Sequence, residues 1–411
     1  MTLLRIGRGQ TVKYRQISLW ERKRMGTVLD YLHEYGNYSF REKPMTEVDS
    51  LALCQLTYLK FDGLVPDVRE NGHPVTLKSL AEAADFDKLF GDVRYEKVNR
   101  ELIGEMLAGN RFSTLKLNYY VNVVEKQWET QFSAVTYILD DGTVYVAYRG
   151  TDESIVGWKE DFNMAFLSPI PSQEYSISYL NTVAARLNKL FYIGGHSKGG
   201  NLAVYSAMKC PDHIQKRIIQ IYSMDGPGFR PEVLKSGEYN AIADRVVKIL
   251  PHSSLVGMLF ESDMRFQVVE SKTFGLAQHD PYSWLVEEDH LLRVDGIHER
   301  CLRRDNTLNQ WILSLDEQQL RTFVDTLYQV ISASQADNVI EFTAEWRRSM
   351  SGMLSAMKEV DDETMRMLKE IVKALFEIAG EQVRQEVTKN VQDSREKLKK
   401  QSKPKLSPRR L

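Results

Sequence analysis

The sequence is poor in cysteine and carries almost no net charge, and each shortage argues against a class of protein. Its 411 residues include three cysteines, Cys54, Cys210 and Cys301, which are far apart and odd in number. We therefore expect no disulfide-stapled fold, and the lack of a Cys-x-x-Cys pair argues against a zinc site. The 54 basic and 56 acidic residues leave a net charge of −2. We therefore expect no specific nucleic-acid partner recruited by overall charge.

Long hydrophobic runs are also missing. No run approaches the roughly 18 to 20 apolar residues that a membrane-spanning helix needs. The first residues lack the apolar centre of a secretory signal. Hydrophobic residues still make up 43% of the chain, which is ordinary for a globular protein. We therefore expect a soluble, cytoplasmic protein, and its length predicts roughly two to three folding units.

The middle of the chain alternates between strand-like and helix-like segments. Two β-rich runs, residues 132–139 and 143–148, flank an Asp-Asp-Gly turn and predict a hairpin. Further strands are predicted at residues 190–194, 217–224, 245–250 and 266–270. Helices at residues 179–187, 198–209 and 231–241 separate them. This order predicts an α/β fold with a mainly parallel central sheet flanked by helices.

Helical patterns dominate both ends of the chain. Before the sheet, helices are predicted from a capping box at residues 18–21, from Thr46, over residues 75–90 and over residues 100–107. After it, apolar residues at helical spacing follow residues 314 and 361. The last 17 residues hold eight Lys or Arg against one Glu, which predicts a disordered basic arm. The predicted organisation is an N-terminal helical segment (1–40), an α/β domain (41–315), a C-terminal helical extension (316–394) and a basic tail (395–411).

A G-x-S-x-G pattern, formed by Gly195, Ser197 and Gly199, lies between a predicted strand and a predicted helix. This setting is typical of the nucleophile elbow of an α/β-hydrolase. The serine occupies a tight turn there, and glycine on either side removes Cβ atoms that would clash. The backbone N–H of Lys198 begins the helix, so it can donate to an oxyanion beside Ser197.

A serine becomes a nucleophile when a histidine takes its proton and a carboxylate orients that histidine. In α/β-hydrolases the chain order is Ser, acid, His. Asp225 follows the predicted strand 217–224, and His279 follows the last predicted strand, so both fit that order. His290 and His298 are the alternatives for the base. Thr151 follows Gly150 at the end of an early strand and is the predicted second oxyanion donor.

Two sets of motifs resemble known lipases. Arg149-Gly150-Thr151, with Trp158 and Asp161, and then residues 195–200 resemble the signature of class 3 lipases. Residues 47–51, 61–63, 195–200, 224–228 and 278–281 are similar to an uncharacterised bacterial family with a domain of unknown function, grouped with lipase-like α/β-hydrolases. The second resemblance spans about residues 40–315. Together they imply an α/β-hydrolase fold with Ser197 as nucleophile and Thr151 in the oxyanion hole.

The acid departs from the class 3 pattern. Those lipases place their aspartate after the next strand, where this chain has Ser254. Either Asp225 has taken the role from the preceding strand, or the triad lacks a carboxylate. Asp225 and the Gly-Pro-Gly that follows it resemble the loop that carries the acid in pancreatic-type lipases. We therefore favour Asp225.

The expected function is that of a serine hydrolase acting on a carboxylic ester, of a small molecule or a lipid, through an acyl-enzyme. No cofactor or metal is expected. A patatin-like Ser–Asp dyad is disfavoured, because no glycine triplet precedes the elbow. The alternative is a catalytically silent hydrolase-fold scaffold, which would bind a partner or an anionic membrane through its helical C-terminus and basic tail.

Overall fold

The computed structural model of this chain describes residues 25–83, 85–91, 93, 95–125, 130–151, 164, 169–254, 256–260, 265–273, 275–297, 309 and 318. Apart from residue 318, the predicted helical extension (316–394) and basic tail (395–411) lie outside this part of the chain. The predicted capping box at residues 18–21 lies outside it as well. The proposed boundaries at both ends therefore remain predictions.

An eight-stranded sheet, with its strands in chain order, forms the centre of the described part of the chain. The first four strands pair antiparallel, and each step from β4 to β8 is parallel. The strands are β1 (Val75–Thr76), β2 (Lys116–Glu125), β3 (Thr130–Ile138), β4 (Val144–Tyr148), β5 (Phe191–His196), β6 (Ile218–Met224), β7 (Val246–Pro251) and β8 (Gln267–Val269). A separate antiparallel pair follows, β9 (Val286–Glu287) with β10 (His290–Leu291).

Within the described residues, five longer helices accompany the sheet. They are α1 (Val28–Tyr35), α2 (Glu47–Leu56), α3 (Glu96–Ala108), α4 (Pro171–Arg186) and α5 (Lys198–Lys209). Short α-helical turns cover Leu77–Ala81, Asn110–Ser113, Asp212–Gln215, Pro231–Leu234 and Gly237–Asn240. Short 3-10 turns cover Phe86–Phe90, Ala243–Arg245, Gly275–His279 and Pro281–Ser283.

Two hydrophobic cores cover the two faces of the sheet. Side chains of α1, α2 and α3 pack with Tyr145 and Ala147 of β4 on one face. Side chains of α4 and α5 pack with Val144 and Val146 on the other. Neighbouring residues of β4 thus enter opposite cores, because successive side chains of a strand point to opposite faces. The predicted α/β-hydrolase fold is confirmed, with helices on both sides of a largely parallel sheet.

Three details differ from the sequence prediction. Residues 75–90 are not one helix, because Val75 and Thr76 pair with β2 and Thr76 then caps a short helical turn. The long strand β2 was not predicted. A bulge at Asn118 interrupts its alternation, and the next residue, Tyr119, has φ 55°. The predicted helix 231–241 is two four-residue turns, the second capped by Ser236.

Helix α2 is buried along its whole length and is anchored by an ion pair with no exposure. Arg111 donates from Nε to Asp49 Oδ1 at 2.7 Å and from Nη2 to Asp49 Oδ2 at 2.6 Å. The remaining guanidinium bonds reach the carbonyls of Tyr38, Ser39, Lys43 and Pro44. Asp49 also accepts from the Tyr31 hydroxyl at 2.9 Å. Burial, and then the Asp49 charge, raise the pKa of Tyr31 far above its usual range. The network ties α2 to α1 and to the loop that precedes α2.

Removing one member of this pair should strongly destabilise the protein. We expect Arg111→Met to lower the free energy of unfolding by about 3 to 5 kcal/mol, because it leaves the Asp49 carboxylate buried without its partner. The matched control is Arg69→Met, since Arg69 pairs with Asp67 but its side chain is 85% exposed. Urea unfolding curves would measure both. Equal midpoints for the two variants would contradict the role given to the pair.

Candidate active site

The turn between β5 and α5 forces Ser197 into an unusual backbone conformation. Its φ is 57° and its ψ is −131°, a region that residues with a Cβ rarely adopt. Crowding imposes the turn. A Cβ at Gly195 would lie under 3.0 Å from the Gly199 backbone, and one at Gly199 under 3.0 Å from the carbonyl oxygen of Tyr148. Both glycines are therefore required where strand and helix converge, as the motif predicts.

The structure brings the three predicted side chains into one hydrogen-bonded row. His279 Nε2 lies 3.0 Å from Ser197 Oγ, and His279 Nδ1 lies 2.7 Å from Asp225 Oδ2. The Asp225 side chain is 1% exposed and that of His279 is 20% exposed. A carboxylate oxygen only accepts, so Nδ1 carries the proton and Nε2 is left to accept from the serine hydroxyl.

Asp225 is held from several sides at the end of β6. Its backbone has φ 48°, and its N–H donates to the Ile249 carbonyl of β7 at 2.8 Å. Its second carboxylate oxygen, Oδ1, accepts from the Ser254 hydroxyl and from the Gly257 N–H at 3.2 Å. Ser254 is the residue that the sequence resemblance placed where class 3 lipases have their aspartate. Here it donates a hydrogen bond to the carboxylate on the neighbouring strand, a role that the sequence did not reveal.

Gly150, which precedes the predicted oxyanion residue Thr151, lies close to Ser197. A Cβ at Gly150 would lie 3.1 Å from Ser197 Cβ and 2.6 Å from the His196 carbonyl oxygen. Thr151 follows Gly150 directly, at the end of the chain segment that leaves β4. Lys198 is the first residue of α5. Its buried ammonium donates to the Gln131 carbonyl at 2.8 Å.

His290 and His298 are the alternative candidates for the base. His290 is exposed and pairs with Glu47 at 3.1 Å and Asp289 at 3.3 Å, so it is engaged outside the row around Ser197. His298 lies outside the described residues, as do Trp158 and Asp161.

His196 and Tyr58 are neighbours of the base that the sequence prediction passed over. His196 Nε2 lies 2.9 Å from the carbonyl oxygen of His279. Its Nδ1 lies 2.9 Å from Tyr58 Oη. The position of His196 next to Ser197 in the elbow could have indicated, from the sequence, that His196 lies near the site. Tyr58 gave none, because 138 residues separate it from His196 in the chain.

Gln278 fixes the turn that carries His279. Its side chain accepts from the Ser253 N–H at 2.8 Å and donates to the Thr273 carbonyl at 2.8 Å. Its own carbonyl accepts from Trp284 Nε1 at 2.7 Å. Gln278 is fully buried, and its hydrogen bonds link the end of β7 to the loop that carries His279.

The described residues show neither a metal site nor a membrane span. They contain no group of three or more His, Cys, Asp or Glu side chains arranged to hold a metal ion. No helix among them is both long and apolar enough to span a membrane.

Several solved lipase structures overlap partially with this chain. An M37 lipase is 16% identical over 52% of this chain and 70% of its own, with a TM-score of 0.35. The Rhizomucor miehei lipase–propeptide complex is 14% identical over 49% and 71%, with a TM-score of 0.30. A fungal lipase–inhibitor complex is 15% identical over 48% and 81%, with a TM-score of 0.31. Because these overlaps are weak, the fold assignment rests on the sheet topology.

The sequence itself gives the stronger comparison. No curated protein matches it. The Mbeg1-like family, which is lipase-like, matches residues 106–329. That range covers more than half of the 411 residues and contains Ser197, Asp225 and His279. The protein is therefore a member of the Mbeg1-like family.

Proposed function

We propose that this protein is a serine hydrolase that cleaves carboxylic esters of small molecules or lipids. The observation that carries the proposal is the 3.0 Å approach of His279 Nε2 to Ser197 Oγ, on a ring whose other nitrogen faces a buried carboxylate. A histidine bridging a hydroxyl and a carboxylate is the arrangement that activates a serine. The family and the fold support a lipase-like hydrolase. The proposal adds an ester substrate and a triad of Ser197, His279 and Asp225.

The reaction follows from the tautomer of His279. Its Nε2 takes the proton of Ser197 as the serine oxygen bonds to the ester carbonyl carbon. Asp225 stabilises the imidazolium, and the backbone N–H groups of Thr151 and Lys198 donate to the oxyanion. The imidazolium then protonates the departing alcohol as its bond to carbon breaks, which leaves an acyl-enzyme. Water, deprotonated by His279, attacks that acyl group and releases the carboxylic acid and free Ser197.

The surroundings of Asp225 support a carboxylate in this role. A buried carboxylate needs donors or a cation to remain ionised. Asp225 has Ser254 and Gly257 on one oxygen and His279 on the other. The hydrogen bond from Ser254 supports the first of the two possibilities raised by the sequence. In that possibility the acid is Asp225, which follows β6, although class 3 lipases place their aspartate after the next strand.

Removal of the nucleophile is the first test. We expect Ser197→Ala to abolish hydrolysis of short p-nitrophenyl esters and labelling by a fluorophosphonate probe, because only an activated serine reacts with either. Thermal unfolding should show the fold retained. The control is Ser206→Ala, since Ser206 is also buried on α5 but donates to the Ala203 carbonyl; it should keep both activities. Wild-type protein that neither reacts with the fluorophosphonate probe nor hydrolyses the esters would favour the alternative, a catalytically silent scaffold.

Removal of the acid separates the two readings of the triad. We expect Asp225→Asn to lower kcat by roughly 10³- to 10⁴-fold, because the amide cannot hold His279 in the required tautomer. Ser254→Ala removes only one donor to the carboxylate, so kcat should fall by roughly 3- to 10-fold. Steady-state kinetics on a p-nitrophenyl ester would measure both. Asp225→Asn with wild-type turnover would mean that the enzyme works without a carboxylate.

A further inference from the structure

We propose that Tyr58 and His196 are positioning residues, which hold the base His279 through its backbone and tie it to the end of β4 at Gly150. The proposal rests on the proposed function, since it concerns the same base. It extends the site to a part of the chain that precedes the family match at residues 106–329. Neither side chain takes part in the proton transfers described above.

The hydrogen bonds of His196 determine which tautomer its neutral ring adopts. A carbonyl oxygen can only accept, so the 2.9 Å contact with the His279 carbonyl makes Nε2 of His196 the donor. In the neutral ring Nδ1 is then an acceptor, and the Tyr58 hydroxyl 2.9 Å away is its donor. His196 is almost fully buried. Tyr58 thus selects the tautomer that lets His196 hold the backbone of the base.

The two imidazole rings also contact each other directly. The ring centroids of His196 and His279 are 4.6 Å apart, with 36° between the planes. During the proposed reaction His279 becomes an imidazolium, and a second cation at this distance would oppose that change. A neutral His196 is compatible with it. His196 therefore restrains His279 both at its carbonyl and at its ring.

Tyr58 also contacts the strand end that leads to the oxyanion position. A Cβ at Gly150 would lie under 3.0 Å from Tyr58 Oη and 3.1 Å from Ser197 Cβ. The hydroxyl therefore lies close to Gly150 while it bonds to His196. Tyr58 comes two residues after α2 (Glu47–Leu56), the helix anchored by Asp49 and Arg111. A rigid N-terminal element thus connects the base with the loop that leads to Thr151.

A pair of His196 variants tests the bond to the backbone of His279. In His196→Gln the side-chain amide can reach the position of Nε2 and still donate to that carbonyl. In His196→Asn the amide reaches only the position of Nδ1, so the bond is lost. We expect kcat for p-nitrophenyl butyrate to fall by roughly 10-fold in the Asn variant, with KM changed less than about 2-fold. The Gln variant should recover roughly a third or more of the wild-type kcat.

Tyr58→Phe tests the second bond and needs a control for lost stability. We expect it to lower kcat by roughly 3- to 5-fold, again with little change in KM. The control is Tyr179→Phe, since the Tyr179 hydroxyl is buried and bonded to Thr136 and to the Tyr119 carbonyl in the core that contains α4 and α5. That variant should lose stability and keep kcat.

The outcomes separate this proposal from the proposed function. An active wild-type enzyme whose Asn and Phe variants keep full kcat would overturn the positioning roles alone. Equal losses in the Asn and Gln variants would also overturn them, as would a loss confined to KM. Wild-type protein that neither hydrolyses the ester nor labels with a fluorophosphonate would overturn the proposed function, and the positioning roles with it.

Discussion

The crowded crossing of β5, α5 and the end of β4 is the constraint on which the site depends. The backbones at Gly195, Gly199 and Tyr148 approach so closely that no side chain fits between them. The turn between the two glycines leaves Ser197 at φ 57°. Its hydroxyl then meets His279 from another loop. The strain at one residue is therefore maintained by the packing of three elements, which is how folds hold strained residues at functional sites.

Asp225 and Ser254 follow the ends of two neighbouring parallel strands, β6 and β7. Neighbouring parallel strands end at the same edge, so a carboxylate after β6 can reach the histidine that a carboxylate after β7 would also reach. In this chain Asp225 contacts His279, and Ser254 at the end of β7 donates to Asp225. The loops that follow both strands therefore help to fix the carboxylate that contacts His279.

The segment before the family match belongs to the architecture of the site. The buried pair of Asp49 and Arg111 immobilises α2, and Tyr58 follows that helix to contact His196. Asn99 of α3 accepts from the hydroxyl of Tyr282, three residues after His279. The N-terminal helices thus cover one face of the sheet and also contact the loop that carries the base. A family match alone would not reveal these contacts.

The sequence by itself determined the features that depend on local chemistry. The two glycines around Ser197, the alternation of strands and helices, and the Thr46 cap of α2 are each encoded within a few residues, and each matches the structure. The bulged strand β2 escaped prediction because Asn118 breaks the local alternation of apolar and polar residues.

The contacts around His279 were decided only by the tertiary structure. Tyr58 and Ser254 are polar residues of ordinary appearance, and nothing local distinguishes them from their neighbours. Their contacts arise because folding brings distant strand ends and helix ends to one edge of the sheet.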